Sequence, residues 1–360
     1  MLHSLEIRNY RNLRHLTIEK LGRVNLLVGK NNTGKTSVLE AVYLWANNGR
    51  FDVIYEILES RDGFFESMSD DRYIRGQAVL SSLFTDRLSD KKEGQIEINS
   101  QLESDSVELR IRLGQVKIKN PGLEKLPENS QPEVLRLSVS TSTDPIDRII
   151  LAEQFLRLKE PDFPNYGFSK DSANKFVKTS SENSISNGSL FDDIVTTDWE
   201  VEVVDALKIV DARISKLAFR TDKVTGKRYP VVRLDESNNP LPLRSMGDGI
   251  NRILTIILAM VNCENGYLLI DEFENGLHYS VQEKIWEIIF YLAEKLNIQV
   301  FATTHSLDCV EAFSAVLNNG RQDSSAGAMI RLENYEGNIE ATVYDADEIQ
   351  STTRVHVDPR

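Results

Sequence analysis

Polar and apolar residues alternate through residues 2–8 and again through 16–20, the pattern of two strands that each bury one face, and together they predict a hairpin. The run RVNLLVG, residues 23–29, is apolar almost throughout and predicts a strand covered on both faces. Val38, Leu39, Val42 and Tyr43 then recur at helical spacing within 35–45, so a core-facing helix follows. Residues 51–87 are mixed and predict lid helices, 94–100 and 107–114 alternate as a second hairpin, and 134–141 predict a further strand. The Ser- and Asn-rich stretch 178–190 has almost nothing to bury and predicts a mobile loop. Val203, Leu207, Val210, Ile214 and Leu217, three and four apart, predict an amphipathic helix across 200–218. VTGKRYPVVRLD next predicts a hairpin turning near Gly226.

From residue 245 the order becomes regular. Ile250, Ile253, Leu254, Ile257, Leu258 and Val261 mark a helix, YLLID a strand, SVQEKIWEIIFYLAEKL a helix and QVFATTH a strand. Such alternation implies a parallel sheet flanked by helices, with the 23–29 strand as a neighbour although about 230 residues separate the two blocks. The chain then divides into an N-terminal β lobe with its loop and helix (1–50), an α-rich insertion (51–240), a C-terminal half of the same α/β unit (241–345) and a tail (346–360).

Composition narrows the class. Apolar residues make up 41% and charged residues 27% of the 360, with no apolar run long enough to span a membrane, and the N-terminus lacks a secretory signal, so the cytoplasm is the expectation. The two cysteines, Cys263 and Cys309, sit in apolar segments outside any metal-binding spacing and predict reduced core residues. A formal net charge of −13 argues against indiscriminate coating of nucleic acid. Arg213, Lys216, Arg220, Lys223, Lys227 and Arg228 nevertheless form a local basic excess, either a solvated face or a nucleic-acid contact.

Four segments carry chemistry. In GKNNTGKTS, residues 29–37, Gly29, Gly34, Lys35 and Thr36 meet the G-x-x-x-x-G-K-T pattern between a strand and a helix. Backbone N–H groups from Gly29 through Lys30, Asn31, Asn32, Thr33 and Gly34 to Thr36 would surround a phosphate at a helix N-terminus, with Ser37 following. Lys35 would bridge the β- and γ-phosphates and the Thr36 hydroxyl would ligate Mg²⁺. YLLIDEFENGLH ends an apolar strand on Asp271, placed to hold the water shell of Mg²⁺, and Glu272, placed to act as general base. FATTHS ends a second strand on His305, a candidate hydrogen-bonding partner for the γ-phosphate or the water. LRSMGDGINRIL puts Ser245, Gly247, Asp248 and Gly249 in a small-residue turn before a helix, a second anion-receiving terminus that a dimer could aim at the partner's nucleotide.

In this order the motifs resemble the Walker A, signature, Walker B, D-loop (Glu274, Asn275, Gly276, Leu277, His278) and switch-histidine elements of ABC-type ATPases. LEIRNYRNL, GKNNTGKTS, SMGDGINRIL, LLIDEFENGLH and FATTHS are similar to the RecF/SMC/OLD-like branch over roughly residues 1–48 and 240–315, in which bacterial defence and DNA-repair ATPases are found. The resemblance implies an α/β P-loop NTPase fold with an ABC/SMC-like head, ATP and Mg²⁺ as ligands, and a homodimer closed on ATP. It also implies that Arg11 approaches nucleotide phosphate and that Ser245 contacts the partner's γ-phosphate. Met246 departs from the pattern by replacing the signature's first glycine, and Gln77 in YIRGQAVL is the candidate for the Q-loop glutamine, with a plain surface glutamine as the alternative.

The expected function is an ATP-driven switch that regulates an effector, such as a Toprim-like nuclease, expected as a separate polypeptide since no nuclease domain follows the head; the resemblance implies a role in defence against phage or foreign DNA. A RecF-type DNA-binding repair ATPase is the alternative. A transporter subunit fits poorly because about 210 residues separate the phosphate loop from the signature, and a GTPase because no N-K-x-D motif occurs.

Overall fold

Every second residue of three strands faces a different core. Val24, Leu26 and Val28 of β3 (Val24–Val28) pack with Leu268, Ile270, Val300 and Ala302 into one cluster, while Leu27, Leu269 and Phe301 enter another. This two-sided burial is why β3, β12 (Tyr267–Ile270) and β13 (Gln299–Thr303) read as mostly apolar runs rather than alternating ones. The computed structural model describes residues 1–61, 79–88, 93–102, 105–117, 133–159, 173–179, 187–235, 237, 239–319 and 326–354.

The central sheet runs β15-β14-β3-β13-β12-β8, with β8 (Lys175–Val177), β12, β13, β3 and β14 (Gly327–Tyr335) parallel and β15 (Asn338–Tyr344) antiparallel at one edge. The phosphate-loop strand and the 265–305 block are therefore direct neighbours, as the apolar pattern predicts. One face carries α1 (Lys35–Ala46) and a six-stranded antiparallel sheet. The other face carries α6 (Asp248–Val261), α7 (Tyr279–Lys295) and α8 (Leu307–Leu317).

The antiparallel sheet joins β1 (Ser4–Tyr10) and β2 (Leu13–Ile18) to β4 (Gly94–Gln101), β5 (Ser106–Lys117), β6 (Glu133–Thr141) and β7 (Arg148–Leu151). Both predicted hairpins are present, but β4 pairs with β1, so the expected boundary at residue 50 passes through one sheet. The insertion is also less helical than expected: beside α2 (Phe51–Glu59) and the short α3 (Ala152–Leu156) it supplies strands β4 to β8 and a ribbon across 214–234, and β8 extends the central sheet past β12.

The helix expected over 200–218 is two elements. α5 (Asp198–Lys208) is capped by Thr197, whose hydroxyl accepts from the Trp199 N–H, and β9 (Ile214–Thr221) begins after a turn held by Asp211 on the Arg213 N–H at 3.0 Å. β9 pairs with β10 (Arg228–Leu234) across a register shift at Arg233 and Leu234. That irregularity lets Ile214 and Leu217, three apart, bury against one core and so imitate helical spacing. The expected turn at Gly226 is present, with φ +68°. Of the expected mobile loop 178–190, residues 180–186 lie outside the described residues and 187–190 begin α4 (Asn187–Asp192). Both cysteines are free and buried, and burial pushes the Cys263 thiol up to about 12.

Candidate functional site

β3 delivers the chain into a loop that cannot accept a side chain at its last turn. Gly34 has φ +87°, and a Cβ there would lie 2.8 Å from Leu13 Cδ2, so the N-terminus of α1 is pressed against the β1–β2 hairpin. Asn12 from that hairpin accepts the Ser37 hydroxyl at 2.8 Å and its amide reaches the Asn32 carbonyl at 3.4 Å. Thr33 closes the loop on the Lys30 carbonyl at 2.8 Å. Lys35 is buried, and its ammonium donates to the carbonyls of Gly29 at 2.7 Å and Lys30 at 2.9 Å. Burial lowers its pKa to about 8 against the opposing pull of Asp271, Glu274 and Glu272.

The ends of β12 and β13 meet this loop. The Thr36 hydroxyl donates to Asp271 at 3.2 Å, and Asp271 Oδ1 accepts the buried Thr303 hydroxyl at 2.7 Å. The same Thr303 oxygen accepts the Glu272 N–H at 2.8 Å. Glu272 itself sits at φ +47°, a left-handed conformation that a long side chain adopts only when its surroundings impose it. Paired hydroxyl and carboxylate oxygens on hard-cation chemistry fit Mg²⁺.

A cavity of about 710 Å³ opens over the loop, lined among others by Arg11, Asn31, Gly34, Lys35, Thr36 and His305. His305, two residues past β13, thus shares the cavity with the phosphate loop as its spacing suggests. Arg11 also lines it, but its Nε pairs with buried Glu40 at 2.8 Å. Burial opposes the Arg11 charge, yet Tyr10 and Glu40 outweigh that and raise its pKa.

Other expected residues fall elsewhere. Ser245 is exposed, donates to the Pro242 carbonyl at 2.7 Å and is not among the described cavity residues, nor are Gly247 or Gly249. The signature turn instead touches the segment after the Asp271 strand: a Cβ on Gly249 would lie 2.5 Å from the Gly276 carbonyl oxygen. Of Asp248 only the backbone, at the start of α6, is described. Glu274, expected in the D-loop, is engaged within its own chain, accepting from the Thr304 hydroxyl at 2.8 Å and the His305 N–H at 2.6 Å. Asn275 and Leu277 close tight turns on the carbonyls of Glu272 and Glu274, and His278 caps α7 through the Ser280 N–H. Gln77 lies outside the described residues.

Three side chains at the site are absent from the motif set. Arg252 of α6 donates to the carbonyls of Lys178 at 2.8 Å and Asp271 at 2.6 Å, and burial lowers its pKa although Asp271 and Glu272 support its charge. Thr303 and Thr304 are the others; a buried polar pair closing the apolar run Val300–Ala302 is the signal that marks them. Arg252 carries a weaker one, a lone cation amid the apolar repeat of its helix.

Residues 24–310 match the family described as "AAA domain, putative AbiEii toxin, Type IV TA system". A Helicobacter pylori protein named ATP/GTP phosphatase is 24% identical over 351 residues, covering 88% of each chain. The RecF replication and repair protein of Clostridioides difficile is 51% identical over 43 residues, 12% of each chain. A solved Smc head bound to the C-winged-helix domain of ScpA shares the fold, with a TM-score of 0.55 at 11% identity over 97% of this chain and 99% of that one. The chain belongs to this AAA-domain family, and its fold is that of an SMC head.

Proposed function

We propose that the protein is an ATP-dependent dimerisation switch that regulates a separate effector. The observation that carries this reading is a division of the motifs. Lys35, Thr36, Asp271 and Thr303 converge around one loop, while the exposed turn at Ser245 and Gly247 stands apart from the cavity. A second copy of the chain would supply that turn across the nucleotide, closing two composite sites.

Within each site Thr36 and Asp271 would hold Mg²⁺, which when bound neutralises phosphate charge. Lys35 leaves the loop carbonyls for the phosphates, Glu272 takes the proton of the attacking water, and His305, its backbone fixed by Glu274, faces the terminal phosphate. Opening after hydrolysis would release the effector surface. On this reading the protein works in the cytoplasm in defence or DNA maintenance, with an OLD-like division between ATPase and nuclease; the family description and the RecF likeness lend support to the defence or DNA-maintenance part alone. Among the described residues no helix is long and apolar enough to cross a membrane.

The test is phosphate release from ATP and GTP with and without Mg²⁺, compared with Lys35→Ala and Glu272→Gln. Mg²⁺-dependent release lost in both variants supports the reading, and release that survives both excludes this site. Capture of a partner by the ATP-bound Glu272→Gln protein would identify the effector.

A second reading, a DNA-binding repair ATPase, draws on one feature of the β9–β10 ribbon. Its register sets Lys216 opposite Arg233, like charges whose repulsion an anion lying over them would relieve, and Arg220 opposite Tyr229 further along the same ribbon. Arg213 and Arg228 are already paired, with Asp211 and Asp192. ATP hydrolysis stimulated several-fold by DNA, and unstimulated in Lys216→Glu/Arg233→Glu, would favour it.

A further inference from the structure

Beside Arg11 and Arg14, the cavity over the phosphate loop is lined by Arg61, which no motif assigns. Arg61, just past α2, lines the same cavity as Lys35 and Thr36, and its Nε donates to Glu40 Oε1 at 2.7 Å. Glu40 lies on α1, its side chain 3% exposed, and its other oxygen accepts the Tyr10 hydroxyl at 3.0 Å and pairs with Arg11 Nε at 2.8 Å. One buried carboxylate thus holds two guanidiniums by their Nε edges. Such a grip leaves the Nη donors of both for something else.

Charge counting points to an anion. Among the described lining residues the cationic side chains are Arg11, Arg14, Lys35 and Arg61, against the single carboxylate of Asp86. Asp86 is taken by Arg14 at 3.3 Å. Glu40 neutralises one of the two arginines that it holds, so a positive excess remains beside the phosphate loop. Arg11 Nη2 is moreover buried without any hydrogen-bond partner, which a folded protein tolerates where a ligand completes the set. A planar guanidinium with free Nη donors matches phosphate oxygens in pairs.

Resting on the proposed nucleotide reading, we infer that Glu40 is a positioning residue that presents Arg11 and Arg61 together to the nucleotide, with Arg61 as a second phosphate-contacting arginine. The competing account is a structural triad that only ties the β1–β2 hairpin and α2 to α1. The two differ in how the loss scales with phosphate charge. A contact to phosphate weakens ATP more than ADP and ADP more than AMP, whereas a structural tie weakens all three alike.

The experiment is equilibrium binding of fluorescent ATP, ADP and AMP to wild type, Arg61→Ala and Arg61→Lys at two salt concentrations, with melting temperature recorded alongside. Arg61 is 37% exposed, so its truncation is the gentler probe of the triad. The expected result is a loss of about 10- to 100-fold for ATP in Arg61→Ala, a smaller loss for ADP, a shallower salt dependence, and partial recovery in Arg61→Lys. Equal losses for the three nucleotides, or none, would overturn the inference while leaving the nucleotide site standing. Wild-type protein that bound no nucleotide would overturn both.

Discussion

The hydroxyl of Thr303 joins the two acidic residues of the site, donating to Asp271 Oδ1 at 2.7 Å while accepting the Glu272 N–H at 2.8 Å. One oxygen on β13 therefore fixes both the carboxylate beside Thr36 and the strained backbone of the proposed base. Thr303→Val keeps the side-chain shape and removes both bonds. It should cost about 1–3 kcal/mol in denaturant unfolding, and lower phosphate release about 10- to 100-fold.

Lys35 sets the pH response of nucleotide binding. Burial lowers its pKa from 10.5 to about 8, so the free protein loses this charge as pH rises past 8. Phosphate binding favours the ammonium form, so affinity should fall by about tenfold per pH unit above that point, with a proton taken up on binding. Folding stability moves the other way. Between about 8 and 10.5 the unfolded chain binds more protons than the folded one, so the Lys35 contribution to stability rises with pH across that window. Calorimetric titration in buffers of different ionisation enthalpy measures the proton uptake, and Lys35→Ala should abolish it.

Arg252 closes the far side of the same strand end. Its guanidinium bonds the carbonyls of Lys178 and Asp271, each one residue past the end of the neighbouring strands β8 and β12. Arg252→Ala should destabilise the fold by about 3 kcal/mol, and Arg252→Lys should recover little, because an ammonium cannot reproduce the fork. Urea unfolding of the three proteins gives the comparison.

Gly249→Ala probes the contact between the signature turn and the segment after Asp271. The new methyl meets the Gly276 carbonyl oxygen, which is backbone and cannot step aside cheaply. A cost of about 1–3 kcal/mol in thermal or urea unfolding is expected. ATP-dependent dimer formation should weaken with it, because the turn it displaces is the one proposed to cross to the partner.

How much of this is legible in the sequence depends on the range of the interactions. The phosphate loop is local, a strand, a turn and a helix N-terminus in one stretch, so Gly29 to Thr36 fall where the pattern puts them. The parallel order of β3, β13 and β12 is legible because burial on both faces leaves apolar runs. The 200–218 segment misleads because a register shift gives strand residues Ile214 and Leu217 a helical interval. β8, only three residues long, has too little pattern to announce itself. Glu274 illustrates the remaining limit: its two oxygens are taken by Thr304 and His305 just past β13, a pairing across about 30 residues that no local pattern encodes.

The central claim is that ATP joins two copies of the chain through the site built on Lys35, Asp271 and Glu272. Sedimentation velocity of the Glu272→Gln protein, with saturating ATP and Mg²⁺ and nucleotide occupancy measured in the same sample, tests it most directly. The account predicts a dimer that reverts to monomer when Lys35→Ala is added to the same chain. A Glu272→Gln protein that is fully occupied by ATP and still sediments as a monomer would contradict it.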